Sequence, residues 1–585
     1  MLLSYVLIAD LLVRAYTIFK WLWACVAQTF DRYTAPTIQV PLPAVTFTAT
    51  PSAETLNPRS AGEGKIQCYD KGTNVPIGTV KAFTPAEVRE VVEKARRAQQ
   101  VWALTPFSTR RKLLFALMDY ILAHQEFICQ TACVECGKTM MDGTLGEMLT
   151  TFEKLRWTAA HGEEVLQDEV RDVGPMTIHK RASVSYVPFG VIGAIVSWNY
   201  PFHNIYGPMI SALFAGNAFV GKVSEYSSYY ASYYESIVKD GLRQLGYSSD
   251  LVSFLTGFAE TGEAVVSSVD KLIFIGSPGV GKVIMRNAAA TLTPVVLELG
   301  GKDPAIICED ADLEQVIPVV MRGNFQNCGQ NCVGLERILV QERIHDQLVL
   351  EVTRLTRALT QGPASQGQYD LGAMTMGRAA IPTIQRLVDA TVKAGATLVC
   401  GGKAASDHFF PATILTNVTP DMPIAQEEVF GPVMVIMKFK TDQDAVKMVN
   451  ACAYGLGSSV FSANIPRAHA IADRIRTGMV NINDFGINYL CQSLPFGGVK
   501  ISGFDRFAGR EGLRGNCIVR ASTMDRIPGV KTTIPPILQY PISPAAFTFM
   551  ENVAQVMYGR LPHMITSATK LFAIKSDKST DKKKA

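Results

Sequence analysis

Residues 1–30 are strongly apolar, with Asp10, Arg14 and Lys20 as interruptions. At ~100° per residue, Asp10, Arg14, Thr17 and Gln28 fall within about 60° of one helical face, with Lys20 at its edge. No uncharged run there reaches the roughly 18 residues of a clean spanning helix. No small-residue cleavage site follows a compact apolar core, which argues against a removed signal peptide. Trp21 and Trp23 suit a membrane interface. A spanning anchor, an in-plane amphipathic helix and a helix packed on the protein itself all fit this pattern. Residues 31–54, rich in Pro, Thr and Ala and without helical period, read as a linker.

A globular body begins near Leu56-Asn57-Pro58. Short strands follow at Ile66–Tyr69 and Pro76–Val80, around a Lys71-Gly72 turn. Thr84-Pro85-Ala86-Glu87 reads as an N-cap, a first-turn proline and a capping-box Glu, opening a helix to about Trp102. Leu114, Leu117, Met118 and Ile121 repeat at helical spacing. Cys129, Cys133 and Cys136 lie on a further helical stretch without a His partner and read as packing residues. Extended runs at Thr177–Val187 and Val191–Val196 flank Pro188-Phe189-Gly190. Ala218–Glu225 and Lys271–Gly276 are again strands with polar or glycine-rich ends, the second followed by a helix from Lys282. After Cys332 strands and helices alternate, as in a second α/β domain.

The chain of 585 residues has room for several domains, and 48% hydrophobic with 18% charged residues is ordinary globular composition. A net charge of +4 on this length predicts no nucleic-acid partner. The 12 cysteines form no CxxC pair or ligand-like spacing with His, so neither a zinc site nor a disulfide framework is indicated.

The densest chemistry lies in Phe325-Gln326-Asn327-Cys328-Gly329-Gln330-Asn331-Cys332. Cys332 follows a Gly-Gln turn and precedes residues able to open a helix, whose free N–H groups would favour thiolate. Upstream, Glu298 sits alone on the apolar run Val296-Leu297-Glu298-Leu299-Gly300-Gly301-Lys302. A carboxylate so placed has a raised pKa, which suits a general base. A thiol nucleophile and a water-activating carboxylate suggest acyl-enzyme chemistry. A buried, inert cysteine is the bland alternative. Asn199 ends the strand Val191–Val196, where its amide could donate to an oxyanion or merely fix a turn before Pro201. Gly276 and Ser277 form a glycine turn at a helix start, a sound pyrophosphate seat.

F-x-N-x-G-Q-x-C-x-x-x-x-R together with L-E-L-G-G-K resembles the aldehyde dehydrogenase superfamily, over roughly residues 55–526. Ser197-Trp198-Asn199-Tyr200-Pro201-Phe202-His203-Asn204 and the long C-terminal extension are similar to one branch. It holds the plant family-22 aldehyde dehydrogenases and the fungal enzyme named for meiotic sister-chromatid recombination. The resemblance implies an α/β fold with a Rossmann-like NAD domain (55–170 and 190–300) and an α/β catalytic domain (301–499). It further implies a small β oligomerisation element (171–189 and 500–526), with the hydrophobic helix of 1–30 before and an extension, 527–585, behind. It assigns Cys332 as nucleophile, Glu298 as base and Asn199 as oxyanion donor. Lys222 and Glu225 would hold the adenine-ribose hydroxyls, and Ser277 the pyrophosphate. Glu428 would hold the nicotinamide ribose and Phe430 would pack on the nicotinamide. Val223 replaces the proline of the family's K-P-S-E, and Cys328 replaces a small residue; it could pair with Cys332 under oxidation or simply pack. Glu225 favours NAD, with NADP still open.

The reading is therefore NAD(P)-dependent oxidation of an aldehyde to a carboxylic acid without a metal, by a homodimer or homotetramer. The N-terminal segment and Lys582-Lys583, placed like a dilysine retrieval signal, point to the endoplasmic reticulum membrane with the body facing the cytosol. Location alone suggests long-chain or lipid-derived aldehydes. The alternative from another class is a membrane-tethered NAD-binding scaffold without meaningful turnover.

Overall fold

In the computed structural model, residues 23, 25–45, 56–527, 529 and 532–576 are described. Most of the apolar segment 1–30 and the Lys582-Lys583 pair lie outside the described residues. No helix among the described residues is long and apolar enough to cross a membrane. The chain divides into two units: residues 1–166 with 188–518, and residues 167–187 with 519–585.

The first unit carries two large sheets. One has six strands, in the order Gly503–Phe504, Val295–Leu299, Lys271–Gly276, Val191–Ile195, Ala218–Lys222, Val252–Leu255. All its pairs are parallel except the first. The order reverses at Val191–Ile195, from which the chain first winds one way and then the other. A parallel sheet wound in this way opens its binding crevice at the carboxyl ends of the strands. The other sheet has seven strands, in the order Thr397–Cys400, Thr413–Thr416, Val433–Phe439, Leu335–Gln341, Asp303–Ile307, Ser459–Phe461, Asn481–Ile482. Only its Thr397–Cys400 edge is antiparallel. Its central strands are buried along nearly their whole length, so they read as continuous apolar runs rather than alternating ones.

The helix of Pro85–Trp102 has both hydrogen bonds of its capping box, between Thr84 and Glu87. Leu114, Leu117, Met118 and Ile121 are buried on the Phe107–Ala123 helix, and Cys129, Cys133 and Cys136 are buried on Gln125–Cys136. The second unit holds a three-stranded sheet, Cys517–Asp525, Lys180–Pro188, Glu169–Arg171, with the first strand at an edge. It also holds two C-terminal helices, Ala546–Tyr558 and Leu561–Ser576.

Three expectations change. Residues 31–45 are no free linker. Residues 25–33 are helical, the buried Asp31 pairs with Arg111 at 2.5 Å, and Gln39 N–H donates to Asp240 at 2.8 Å. The helix after Gly276 begins at Pro278, not Lys282, because Ser277 caps it and proline suits the first helical position. Within 500–526, implied as part of a β oligomerisation element, Gly509–Arg514 is helical and the long strand starts only at Cys517.

Candidate active site

Every candidate residue belongs to the first unit, and the strand topology explains their meeting. The six-stranded sheet offers its carboxyl ends: Asn199 follows Val191–Ile195, Lys222 ends Ala218–Lys222, Ser277 follows Lys271–Gly276, and Glu298 lies in Val295–Leu299. The seven-stranded sheet offers the amino ends of three adjacent strands: Gly301 precedes Asp303–Ile307, Cys332 precedes Leu335–Gln341, and Phe430 precedes Val433–Phe439. One cavity of about 770 Å³ is lined by Cys332, Glu298, Asn199, Lys222, Glu225, Gly276, Ser277, Glu428 and Phe430.

No helix follows Cys332. A turn leads directly into Leu335–Gln341, because Leu335-Glu336-Arg337-Ile338-Leu339-Val340 is fully buried strand. The approach to Cys332 is a tight reversal, with Asn327, Cys328 and Gly329 all in the left-handed region, at φ 53, 57 and 71. At Gly329 a Cβ would fall 2.1 Å from the Gly431 carbonyl oxygen, so only glycine fits. Asn327 Nδ2 donates to the carbonyls of Asn199 and Gln330, each at 3.0 Å. Gln330 Nε2 donates to Asn327 O and Ala373 O, each at 3.1 Å, and its Oε1 accepts from Thr375 N–H at 2.9 Å. The Asn and Gln of the motif therefore lock the loop that presents the thiol. Cys328 packs in an apolar cluster, with Gln361 Nε2 donating to its sulfur at 3.5 Å.

Without a following helix the thiol gains no dipole assistance. Cys332 is partly open to the cavity, yet burial, and then the negative charge of Glu298, push it well above the ordinary thiol range. This corrects the expectation of a favoured thiolate. The carboxyl of Glu298 behaves as its apolar strand predicts. Burial pushes it up to about 8, the Cys332 thiol draws it partly back, and Asp303 adds to the rise. Glu298 Oε1 is buried without a hydrogen-bond partner.

Asn199 is buried, and its Oδ1 accepts from Ser197 Oγ at 2.7 Å and from Asn204 Nδ2 at 3.1 Å. Those bonds fix the amide so that Nδ2 is the donating end, 3.3 Å from Gln330 O. Behind it the fully buried pair Lys138–Glu147 closes at 2.7 Å, and Lys138 Nζ also donates to Asn199 O at 2.8 Å.

Lys222 Nζ lies 3.5 Å from Glu225, and burial lowers its pKa. Ser277 caps the helix Pro278–Ala289. Glu428 Oε1 accepts from Gly301 N–H at 2.9 Å, and a Cβ on Gly300 would come within 2.2 Å of Oε2. Burial first, then the Glu336 charge, push Glu428 well above the carboxylate range. Phe430, at φ 49, meets Trp198 edge-on at 5.5 Å.

Sequence reasoning missed several supports. Glu336 accepts from the Val429 and Phe430 N–H groups at 2.9 Å and pairs with Lys302 at 2.6 Å, which holds Phe430 in its unusual conformation. Tyr489 lines the cavity and hydrogen-bonds His203, whose Nδ1 lies 2.9 Å from Thr151 Oγ1. The cue was the histidine in Ser197–Asn204. The same cavity is lined by a group of large apolar side chains, Leu145, Phe485, Leu490, Phe496 and Phe507. Arg322 also lines it, but pairs with Asp142 at 3.3 Å.

A cysteine and a buried carboxyl at the meeting of two such sheets agree with the sequence comparisons. The sequence model of the aldehyde dehydrogenase family matches residues 59–521. The chain belongs to the aldehyde dehydrogenase family. It is 38% identical over 517 residues to a putative aldehyde dehydrogenase-like protein of Schizosaccharomyces pombe, covering 87% of this chain and 99% of that one. It is 41% identical over 502 residues to a putative aldehyde dehydrogenase-like protein of Saccharomyces cerevisiae, covering 82% of this chain and 77% of that one. Among solved structures, a betaine aldehyde dehydrogenase variant of Staphylococcus aureus in complex with NAD+ is similar. It has a TM-score of 0.74 and 29% identity, covering 80% of this chain and 96% of that one. The aldehyde dehydrogenase fold and oxidoreductase class follow from this membership.

Proposed function

We propose that the protein oxidises an apolar aldehyde to its carboxylic acid, with NAD or NADP as acceptor, through a thioester on Cys332. The observation that carries this is the single cavity shared by Cys332, Glu298, Asn199 and a groove of cofactor type. The groove fits a dinucleotide on its own chemistry. A capped helix start can face phosphates, the Lys222–Glu225 pair offers a donor and an acceptor to ribose hydroxyls, and Gly300 leaves room for the Glu428 carboxylate. Lys222, Glu225, Gly276 and Ser277 would hold the adenine half; Glu428 and Phe430 would hold the nicotinamide half. Glu225 favours NAD. The bound nicotinamide would supply the two-electron acceptor for the aldehyde hydrogen.

The chain's own residues do the rest. Glu298, when ionised, takes the thiol proton, and the Cys332 sulfur bonds to the carbonyl carbon. Asn199 Nδ2 and the Cys332 N–H donate to the resulting oxyanion. After oxidation the carbon is a thioester on Cys332. Glu298, its proton returned to solvent, then takes a proton from water. That water adds to the thioester, and the acid leaves as the thiol re-forms. The raised pKa of Glu298 keeps both roles available near neutral pH.

The apolar wall and the compensated charge of Arg322 support a substrate with a hydrocarbon tail. The exposed Trp23, Phe30 and Tyr33 beside the apolar N-terminal sequence support a membrane-proximal enzyme, which we place at the endoplasmic reticulum facing the cytosol. The edge strand Cys517–Asp525 supports a homodimer or homotetramer. NADH formation across aldehydes of rising chain length, beside Cys332→Ala, tests the proposal. Cys-dependent activity that rises with chain length supports it; activity confined to short or charged aldehydes removes the apolar substrate. Tight NAD binding without Cys-dependent turnover would make the protein a scaffold.

A further inference from the structure

The C-terminal helices leave large apolar side chains in water. Phe547 and Phe572 are each 79% exposed, Tyr558 70% and Leu561 68%. Isolated exposed apolar residues are ordinary, but clusters mark an interaction surface. At ~100° per residue, Leu561, Ile565 and Phe572 fall within about 40° of one another on Leu561–Ser576, and His563 and Lys570 lie on the opposite side. On Ala546–Tyr558 the exposed Phe547, Met550, Met557 and Tyr558 span about 100°, with Glu551 at the arc's edge. Among the described side chains of the two helices, the buried ones are Ala546, Asn552 and Ser567.

We propose that this helix pair lies on an anionic bilayer surface, independently of the N-terminal segment. Charge selects that occupant over a second copy of the chain. From residue 546 to the end there are seven basic residues (Arg560, Lys570, Lys575, Lys578 and Lys582 to Lys584) against Glu551, Asp577 and Asp581. Four of the seven follow Ser576. An apolar arc opposite Lys570, ending in a lysine-rich tail, is the pattern of an interfacial helix held by both burial and attraction to acidic headgroups. A second copy would present the same positive charge to itself.

Phe572→Trp in the full chain places an indole on the exposed arc at little structural cost. The chain already has 5 tryptophans, so the unsubstituted protein serves as the blank. Vesicles of phosphatidylcholine with brominated acyl chains, with and without phosphatidylserine, are the probe. The added indole is expected to lose emission in the anionic vesicles. That loss should shrink in high salt, which screens surface charge, and on adding Lys570→Glu. Unquenched added emission in anionic vesicles overturns the proposal, as does equal quenching in vesicles of phosphatidylcholine alone. A blue shift that grows with protein concentration in the absence of vesicles also overturns it, in favour of a second copy.

Discussion

Burial in the cavity that brings them together raises the pKa of both Cys332 and Glu298. The stability consequence for Glu298 has a definite sign. Its folded pKa is about 8, and an unfolded glutamate titrates near ~4.3. Between those values the folded chain binds more protons than the unfolded one, so stability falls as pH rises through that window. Glu298→Gln should therefore gain little melting temperature at pH 5 and on the order of a few degrees at pH 8; calorimetry at both pH values checks this. Turnover of the unsubstituted enzyme should climb as pH approaches about 8, where Glu298 ionises. Asn199→Ala should lower kcat by about 10²–10³, the usual effect of losing one oxyanion donor, with circular dichroism unchanged. At this scale much was legible. A carboxylate alone in Val296–Leu299 announced its raised pKa. The thiol was misjudged because Val333-Gly334-Leu335 looks locally helix-compatible, whereas its pairing with two parallel neighbours makes Leu335–Gln341 a strand.

The elements act by presenting their ends. Gly300 and Gly301 let one strand leave the six-stranded sheet and another enter the seven-stranded one within three residues, beside Glu428 and the Cys332 carbonyl. Gly300→Ala should raise KM for the nicotinamide cofactor, because its Cβ would displace the Glu428 carboxylate; steady-state kinetics with varied cofactor read this. Lys138 and Glu147 are a second element-scale device. Removing one partner of a fully buried pair typically costs about 3–5 kcal/mol. Lys138→Met should lose stability of that order in urea and lower kcat with it, since Lys138 also holds the Asn199 carbonyl. The helix start at Thr84-Pro85 was plain in the sequence, whereas the one at Ser277-Pro278 was placed four residues late. The Lys302–Glu336–Phe430 brace was not, because it joins residues 34 and 94 positions apart.

At the scale of the molecule, two largely parallel sheets present strand ends to one cavity, and the candidate residues line it. The alternation of strands and helices foretold two α/β layers, but not which strand ends would face each other. Strand order depends on pairings that local pattern does not encode. The termini carry the membrane part of the account. Deletion of residues 1–30 should weaken membrane recovery of the protein on fractionation and leave Cys332-dependent turnover of water-soluble aldehydes in place.

In the proposed cycle Cys332 carries the acyl group and Glu298 releases it. The direct measurement is intact-protein and peptide mass spectrometry of Glu298→Gln mixed with NAD and a medium-chain aldehyde, with NADH followed in parallel. One equivalent of NADH per active site should form, and a persistent acyl mass should map to Cys332. Sustained turnover in Cys332→Ala, or NADH release by Glu298→Gln with no acyl mass on Cys332, would contradict the account.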